Sequence, residues 1–212
     1  YTATVDDGHG GVVTKPVTVT VHGTNDAPTL ADVPAGTLTD TAACDSFPDL
    51  TGTLAGNDVD SGETASLHYA ALNSNGEVVT TAVAGEYGSL TVDANGNYVY
   101  VPDAAAINAL PEGAYSDTFT VQTIDEHGAT GTATFTVQIT GANDAPVIDV
   151  SNLSVTYNED GTTKFSGLSV TDVDAAPDEN FTITASTDDQ NSSVTLSPGD
   201  ATLAGVNSTL QS

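Results

Sequence analysis

Apolar residues alternate with Thr or Gln along much of the chain. In Val17-Thr18-Val19-Thr20-Val21, Phe119-Thr120-Val121 and Phe135-Thr136-Val137-Gln138-Ile139 every second residue is apolar. A period of two gives one apolar and one polar face, so each run predicts a half-buried β-strand. The pairs Leu67 and Tyr69, Leu90 and Val92, Tyr98 and Tyr100, and Phe181 and Ile183 continue the pattern. Asn75-Gly76, Asn95-Gly96 and Asp160-Gly161 separate the runs, the first two being hairpin-type dipeptides. Only Asp103 to Leu110, rich in Ala and stopped by Pro111, predicts a helical turn. The expected class is all-β.

The pattern repeats. Tyr1 to Leu30 aligns without gaps on Phe119 to Ile148 at an offset of 143 − 25 = 118, with twelve of thirty positions identical. The shared residues include Asp7 with Asp125, His9 with His127, Gly23 with Gly141, and Asn-Asp-Ala-Pro at 25–28 and 143–146. Asp58-Val59-Asp60 recurs as Asp172-Val173-Asp174 at an offset of 114. The chain therefore divides into the final strands of one unit (1–26), a complete unit (27–144) and the start of another (145–212). A repeat of ~118 residues is too long for a solenoid and suits a string of separately cored domains. Seven or more short strands per unit fit tandem immunoglobulin-like β-sandwiches joined by short linkers.

Charge narrows the function. The sequence carries 29 Asp plus Glu against 2 Lys plus Arg, a net −27. Phosphate backbones and anionic membrane surfaces need clustered basic residues, so nucleic-acid and membrane-surface partners are excluded. No apolar run approaches the ~20 residues of a membrane-spanning helix. The acids split into 22 Asp and 7 Glu. Short Asp carboxylates favour turns and metal loops, which points to loops that hold something positive.

The stretch GEYGSLTVDANGNYVYVPD, followed by LPEGAYSDTFTVQTIDEHGATGTATFTVQITGANDAP, resembles a VCBS repeat. That module is strung in tandem in large secreted RTX-type bacterial adhesins. Residues 147–212, with NEDGTTKFSGLSVTDVDA, resemble the cadherin-like repeats that neighbour it. The resemblance implies a non-catalytic extender or adhesion module at the bacterial cell surface, serving cell adhesion or biofilm attachment, with Ca2+ at its junctions. More distantly, GNDVDSGETASLHYAAL and the T-I-D-x-x-G to NDAP stretch resemble the calcium motifs of cadherins, and that resemblance, carried over position by position, implies Asn25 and Asp26, then Asn143 and Asp144, as linker ligands. The aspartate pairs are Asp58 with Asp60 and Asp172 with Asp174. The later aspartate is Asp125, with Asp7 its counterpart, and Glu159, or Asp45 at the same offset, holds the place of a base acid. The chain has no Arg, so the cadherin D-R-E motif is absent, and Ala27 and Ala145 replace the second linker Asn. Fewer ions per junction are expected than in a cadherin.

Calcium accepts six to eight oxygens in irregular geometry, which suits carboxylates drawn from separate loops. An extended Asp58-Val59-Asp60 would turn Val59 to the core and both carboxylates to the other side. Two carboxylates ~4 Å apart repel by about 4 kcal/mol at an effective dielectric of 20, which favours a cation between them. The plain alternative makes these residues turn-formers and caps without metal. His9 and His127 read as surface turn residues, Cys44 as a lone buried or incidental thiol, and Tyr98 and Tyr100 as core rather than a carbohydrate platform. No G-x-S-x-G or H-E-x-x-H motif selects an active site. The expected partners are neighbouring repeats of the same chain. Two alternatives stand beside the calcium rod: a module binding surface glycans or another adhesin copy, and a metal-independent acidic spacer.

Overall fold

The computed structural model describes residues 1–152, 154–157, 162–167, 169–175, 181–186, 191–196, 202–204 and 208–211. The chain opens with a hairpin, β1 (Thr2–Asp6) and β2 (Val12–Pro16). Its register pairs Thr2 with Pro16 and Asp6 with Val12. The sandwich begins at β3 (Thr29–Leu30), β4 (Val33–Thr39), β5 (Leu50–Thr53) and β6 (Gly56–Asn57). It continues through β7 (His68–Leu72), β8 (Val78–Val79), β9 (Val83–Ala84), β10 (Gly88–Val92) and β11 (Asn97–Pro102). A short helix α1 (Ala104–Asn108) precedes the long pair β12 (Gly113–Ile124) and β13 (Thr130–Gly141). One sheet runs β5-β11-β10-β9 and the facing sheet β4-β13-β12-β7-β8, all antiparallel except β13 with β4. This is a β-sandwich.

Alternation determines what lies between the sheets. Phe119, Val121 and Thr123 of β12 and Phe135, Val137 and Ile139 of β13 face inward, as do Leu90 and Val92 of β10 and Tyr98 and Tyr100 of β11. The rings meet edge to face, Tyr98 on Phe135 at 4.9 Å and Tyr100 on Phe119 at 6.0 Å between centroids, the arrangement that aromatic quadrupoles favour. Both tyrosines are core residues, which removes them as a carbohydrate platform. Asp117 takes an inward position on β12 and is stabilised there by three donors. Its carboxylate accepts from Glu86 N (2.8 Å), Tyr87 N (3.0 Å) and the Tyr100 hydroxyl (2.7 Å). Burial, then that hydrogen bond to a carboxylate, raise the Tyr100 pKa, so the phenol keeps its proton. The predicted helical turn at 103–110 forms as α1, capped by Asp103 Oδ1, which accepts from Ala105 N and Ala106 N.

The hairpin turns share one construction. At Asp93 to Asn97 the Asp93 N–H donates to Asn97 O, Gly96 N–H donates to Asp93 O, and Asp93 Oδ1 accepts from Asn95 N and Asn97 N. Gly96 has φ +85°, the left-handed residue that closes a three-residue hairpin loop. Asp125 to Ala129 and Asp7 to Gly11 follow the same plan. The strand pairing also repeats at offset 118, since Thr2↔Pro16 becomes Thr120↔Thr134 and Asp6↔Val12 becomes Ile124↔Thr130.

One expectation is corrected and another narrowed. Val17 to Val21 is not a strand; β2 ends at Pro16 and these valines are exposed. Their counterparts Phe135 to Ile139 are paired on both sides, by β12 and β4, whereas Val17 exchanges backbone hydrogen bonds with Tyr1 alone and residues 18–21 are in no strand pairing among the described residues. Cys44 is exposed, which removes the buried alternative and leaves the incidental one. Beyond the sandwich, β14 (Val147–Asp149), β15 (Ser154–Tyr157), β16 (Thr162–Ser166) and β17 (Ser169–Thr171) follow. After them come β18 (Phe181–Ser186), β19 (Asn191–Leu196), β20 (Thr202–Ala204) and β21 (Ser208–Gln211). They form the sheets β14-β17-β20, β15-β16-β21 and β18-β19. Glu159 and the Asp160-Gly161 turn lie outside the described residues.

Candidate metal centre

Three carboxylates converge in the loop after β6. Asp60 N–H donates to Asp58 Oδ1 at 2.9 Å, an Asx turn that folds the loop back on itself. Thr64 fastens the other side, its hydroxyl accepting from Asp58 N and donating to Asp58 O, both at 2.9 Å. Gly62, at φ +95°, then leads into a 3-10 turn at Glu63–Ser66, with Glu63 N–H donating to Asp60 O at 3.3 Å. One oxygen from each of Asp58, Asp60 and Glu63 lies within 4.8 Å of the others. Asp58 Oδ2 and Glu63 Oε2 are buried without a hydrogen-bond partner.

This geometry corrects the extended Asp-Val-Asp. Val59 is 75% exposed while Asp58 is 7% exposed. Convergence comes from the Asx turn rather than from strand alternation.

The first linker is fastened to this loop. Asp26 N–H donates to Asp60 Oδ2 at 2.7 Å. Asn25 Nδ2 donates to Asp125 Oδ2 at 2.9 Å and to Asp26 O at 3.1 Å. Asp125 is the first residue of the β12–β13 turn, and its Oδ1 accepts from His127 N (2.9 Å) and Ala129 N (2.8 Å). The Asn25 amide first, then the turn N–H groups, hold the Asp125 pKa below the ordinary carboxylate range. Pro28 is buried against β13, where a Cβ on Gly131 would collide with the Pro28 carbonyl. Gly131 thus gives the linker room to approach the sheet.

The second linker repeats the contact. Asp144 N–H donates to Asp174 Oδ2 at 3.3 Å and Asn143 Nδ2 donates to Asp144 O at 2.8 Å. Asp172, half-buried, directly follows β17, as Asp58 follows β6. Asp40, at the end of β4, joins Asp144 here. Each is 3% exposed, and Asp40 Oδ1 and Asp144 Oδ2 have no hydrogen-bond partner. Burial above all raises both pKa values. Asp45 and Asp174 raise that of Asp40 further, and Asp40, Asp174 and Asp45 that of Asp144. Ala142 N–H, donating to Asp40 Oδ2 at 3.3 Å, and the Thr41 N–H offset part of the effect on Asp40. Asp45 itself caps Thr41, accepting from its N–H at 2.7 Å and its hydroxyl at 2.8 Å.

Two of these residues escaped sequence reasoning. Glu63 has no repeat counterpart, because an offset of 114 leads to Pro177, so a search for repeated acids passes over it. Asp40 stands among polar residues after a strand, and only its burial distinguishes it. Asp7 occupies the turn position of Asp125, accepting from His9 N (2.8 Å) and Gly11 N (2.9 Å). His9 and His127 are exposed turn residues, His127 Nδ1 lying 3.4 Å from Glu63 Oε1.

The donor set fits a hard cation. Every candidate ligand is an oxygen, four buried carboxylate oxygens lack a partner, and two lysines oppose 29 acids in the whole chain. Buried charge without a countercharge is costly, and a divalent ion supplies one.

The chain belongs to the bacterial cadherin-like domain family, whose model matches residues 25–141, from the first linker to the end of β13. Among solved structures it resembles protocadherin gamma B7 extracellular cadherin domains 1–4, at 17% identity over 88% of this chain and 49% of that one, TM-score 0.41. It also resembles PcdhgB3 EC1-4, at 15% identity over 99% of this chain and 54% of that one, TM-score 0.45. Human CDH23 EC21-23 aligns at 14% identity over 95% of this chain and 61% of that one, TM-score 0.42. The chain spans about half the length of the first two. No curated protein matches it. Among the described residues no helix is long and apolar enough to cross a membrane.

Proposed function

We propose that the protein is a calcium-dependent extender and adhesion module of a secreted bacterial surface adhesin, in which ions at the linkers join successive β-sandwich units. Membership of the cadherin-like family supports an adhesion role over catalysis. The units are 1–26, 27–144 and 145–212, with a VCBS-type repeat in the middle. At the first linker Asp58, Asp60 and Glu63 hold the ion beside Asp26, and Asp125 positions Asn25. At the second, Asn143, Asp144, Asp172 and Asp174 are joined by Asp40. Glu159 is the acid proposed as the base acid of the last unit. Bound calcium supplies the positive charge that lets carboxylates from two units approach.

One observation carries this reading: the same backbone-to-carboxylate contact, Asp26 to Asp60 and Asp144 to Asp174, recurs beside partnerless buried carboxylate oxygens at both linkers. Oxygen-only donors in an irregular arrangement favour calcium over magnesium, which demands near-octahedral geometry. A ligand that binds only the folded state raises its melting midpoint. Thermal melts at millimolar calcium against EDTA test the proposal; a higher midpoint in calcium supports it and coincident curves overturn it.

A further inference from the structure

We infer that Glu63 is a direct cation ligand that makes the Asp58-to-Glu63 loop a self-contained site, able to bind calcium without the linker. The inference rests on the calcium reading above and adds the order in which the first junction assembles. All three converging carboxylates lie within six consecutive residues, and the loop is shaped by its own contacts, Asp60 N to Asp58 Oδ1 and the two Thr64 bonds. Asp58 is 7% exposed with Oδ2 unpartnered, and Glu63 Oε2 is also buried and unpartnered. An acid held this way beside two others lacks only a cation. Asp26 meets the loop through its backbone N–H on Asp60 Oδ2, and Asn25 meets Asp125, so neither linker side chain hydrogen-bonds the three carboxylates. At the second junction the sequence position that corresponds to Glu63 is Pro177, and two described acids there with a buried, partnerless oxygen, Asp40 (Oδ1) and Asp144 (Oδ2), flank the strands of the preceding unit. The first site is therefore local and loads first, and the linker then docks on a loop already neutralised.

The test is calorimetric titration of the full chain with calcium chloride after EDTA dialysis, in a D172N/D174N background that silences the second junction. E63Q is expected to weaken the remaining site at least about tenfold, since affinity follows the number of ligand charges, while N25A and D26A keep its stoichiometry. H127Q separates a ligand from a partner of His127 and is expected to leave affinity unchanged. Unaltered affinity in E63Q, an equal loss in H127Q, or loss of the site in N25A or D26A would each overturn the inference. With calcium binding intact in the parent chain, such results leave the junction proposal standing; no binding by the parent chain removes both. Circular dichroism of each variant checks that the sandwich is folded.

Discussion

The backbone N–H of Asp26 donates to Asp60 Oδ2 at 2.7 Å, across 34 residues of sequence. A linker amide thereby reads a carboxylate that also belongs to a three-acid cluster. Whatever changes the charge of that cluster changes what the linker docks on, and under the proposed calcium reading this would couple the metal to the joint.

Asp60→Ala removes both the linker acceptor and one of the three converging carboxylates. At calcium 100-fold above its dissociation constant a folded-state ligand contributes about 2.7 kcal/mol. The variant is expected to lose the calcium-induced rise in melting midpoint that belongs to the first junction and to keep that of the second. Differential scanning calorimetry in calcium and in EDTA measures both.

Asp40 and Asp144 give a pH dependence of definite sign. Both titrate higher in the folded chain than in the unfolded one, so the folded state binds protons more tightly. Their stabilisation is complete below the ordinary carboxylate range and is lost as pH rises through the raised folded values. In EDTA, Asp40→Asn is expected to stabilise the chain at neutral pH by about 1 kcal/mol, because it removes a buried, poorly partnered charge. In calcium the same substitution is expected to destabilise it. Melts at pH 7 in the two buffers reveal the change of sign.

Asp125 behaves oppositely. Its folded pKa is lowered, chiefly by the Asn25 amide, so its contribution is present above the unfolded value and lost as pH falls through the folded one. Asn25→Ala is expected to move the Asp125 titration upward, read by carboxyl carbon NMR, while Asn95→Ala, at a different turn, leaves it unchanged.

Asp117→Ala deprives two backbone N–H groups and the Tyr100 hydroxyl of their acceptor. Stranding buried donors costs about 1–3 kcal/mol each, so a loss of at least about 3 kcal/mol is expected in urea denaturation. Tyr100→Phe, which removes one donor and leaves Asp117 two, is expected to cost about 1 kcal/mol.

The sandwich was legible because strand alternation and burial coincide: Phe119, Val121, Phe135, Val137 and Ile139 face inward as their period requires. Alternation at Val17 to Val21 misled, because a strand also needs partners. The linker contacts follow the repeat, which marked Asp26, Asp60, Asp144 and Asp174. Sequence spacing did not reveal the Asx turn that brings Asp58 and Asp60 together with Val59 outward. Nor did it reveal Glu63 or Asp40, whose roles depend on burial and on a fold-back that no repeat records.

Small-angle X-ray scattering of the full chain in millimolar calcium and in EDTA tests the junction claim most directly. The account predicts that calcium fixes the linkers and changes the distance distribution, giving a longer, better-defined maximum dimension than the metal-free chain. Identical scattering curves in the two buffers would contradict it.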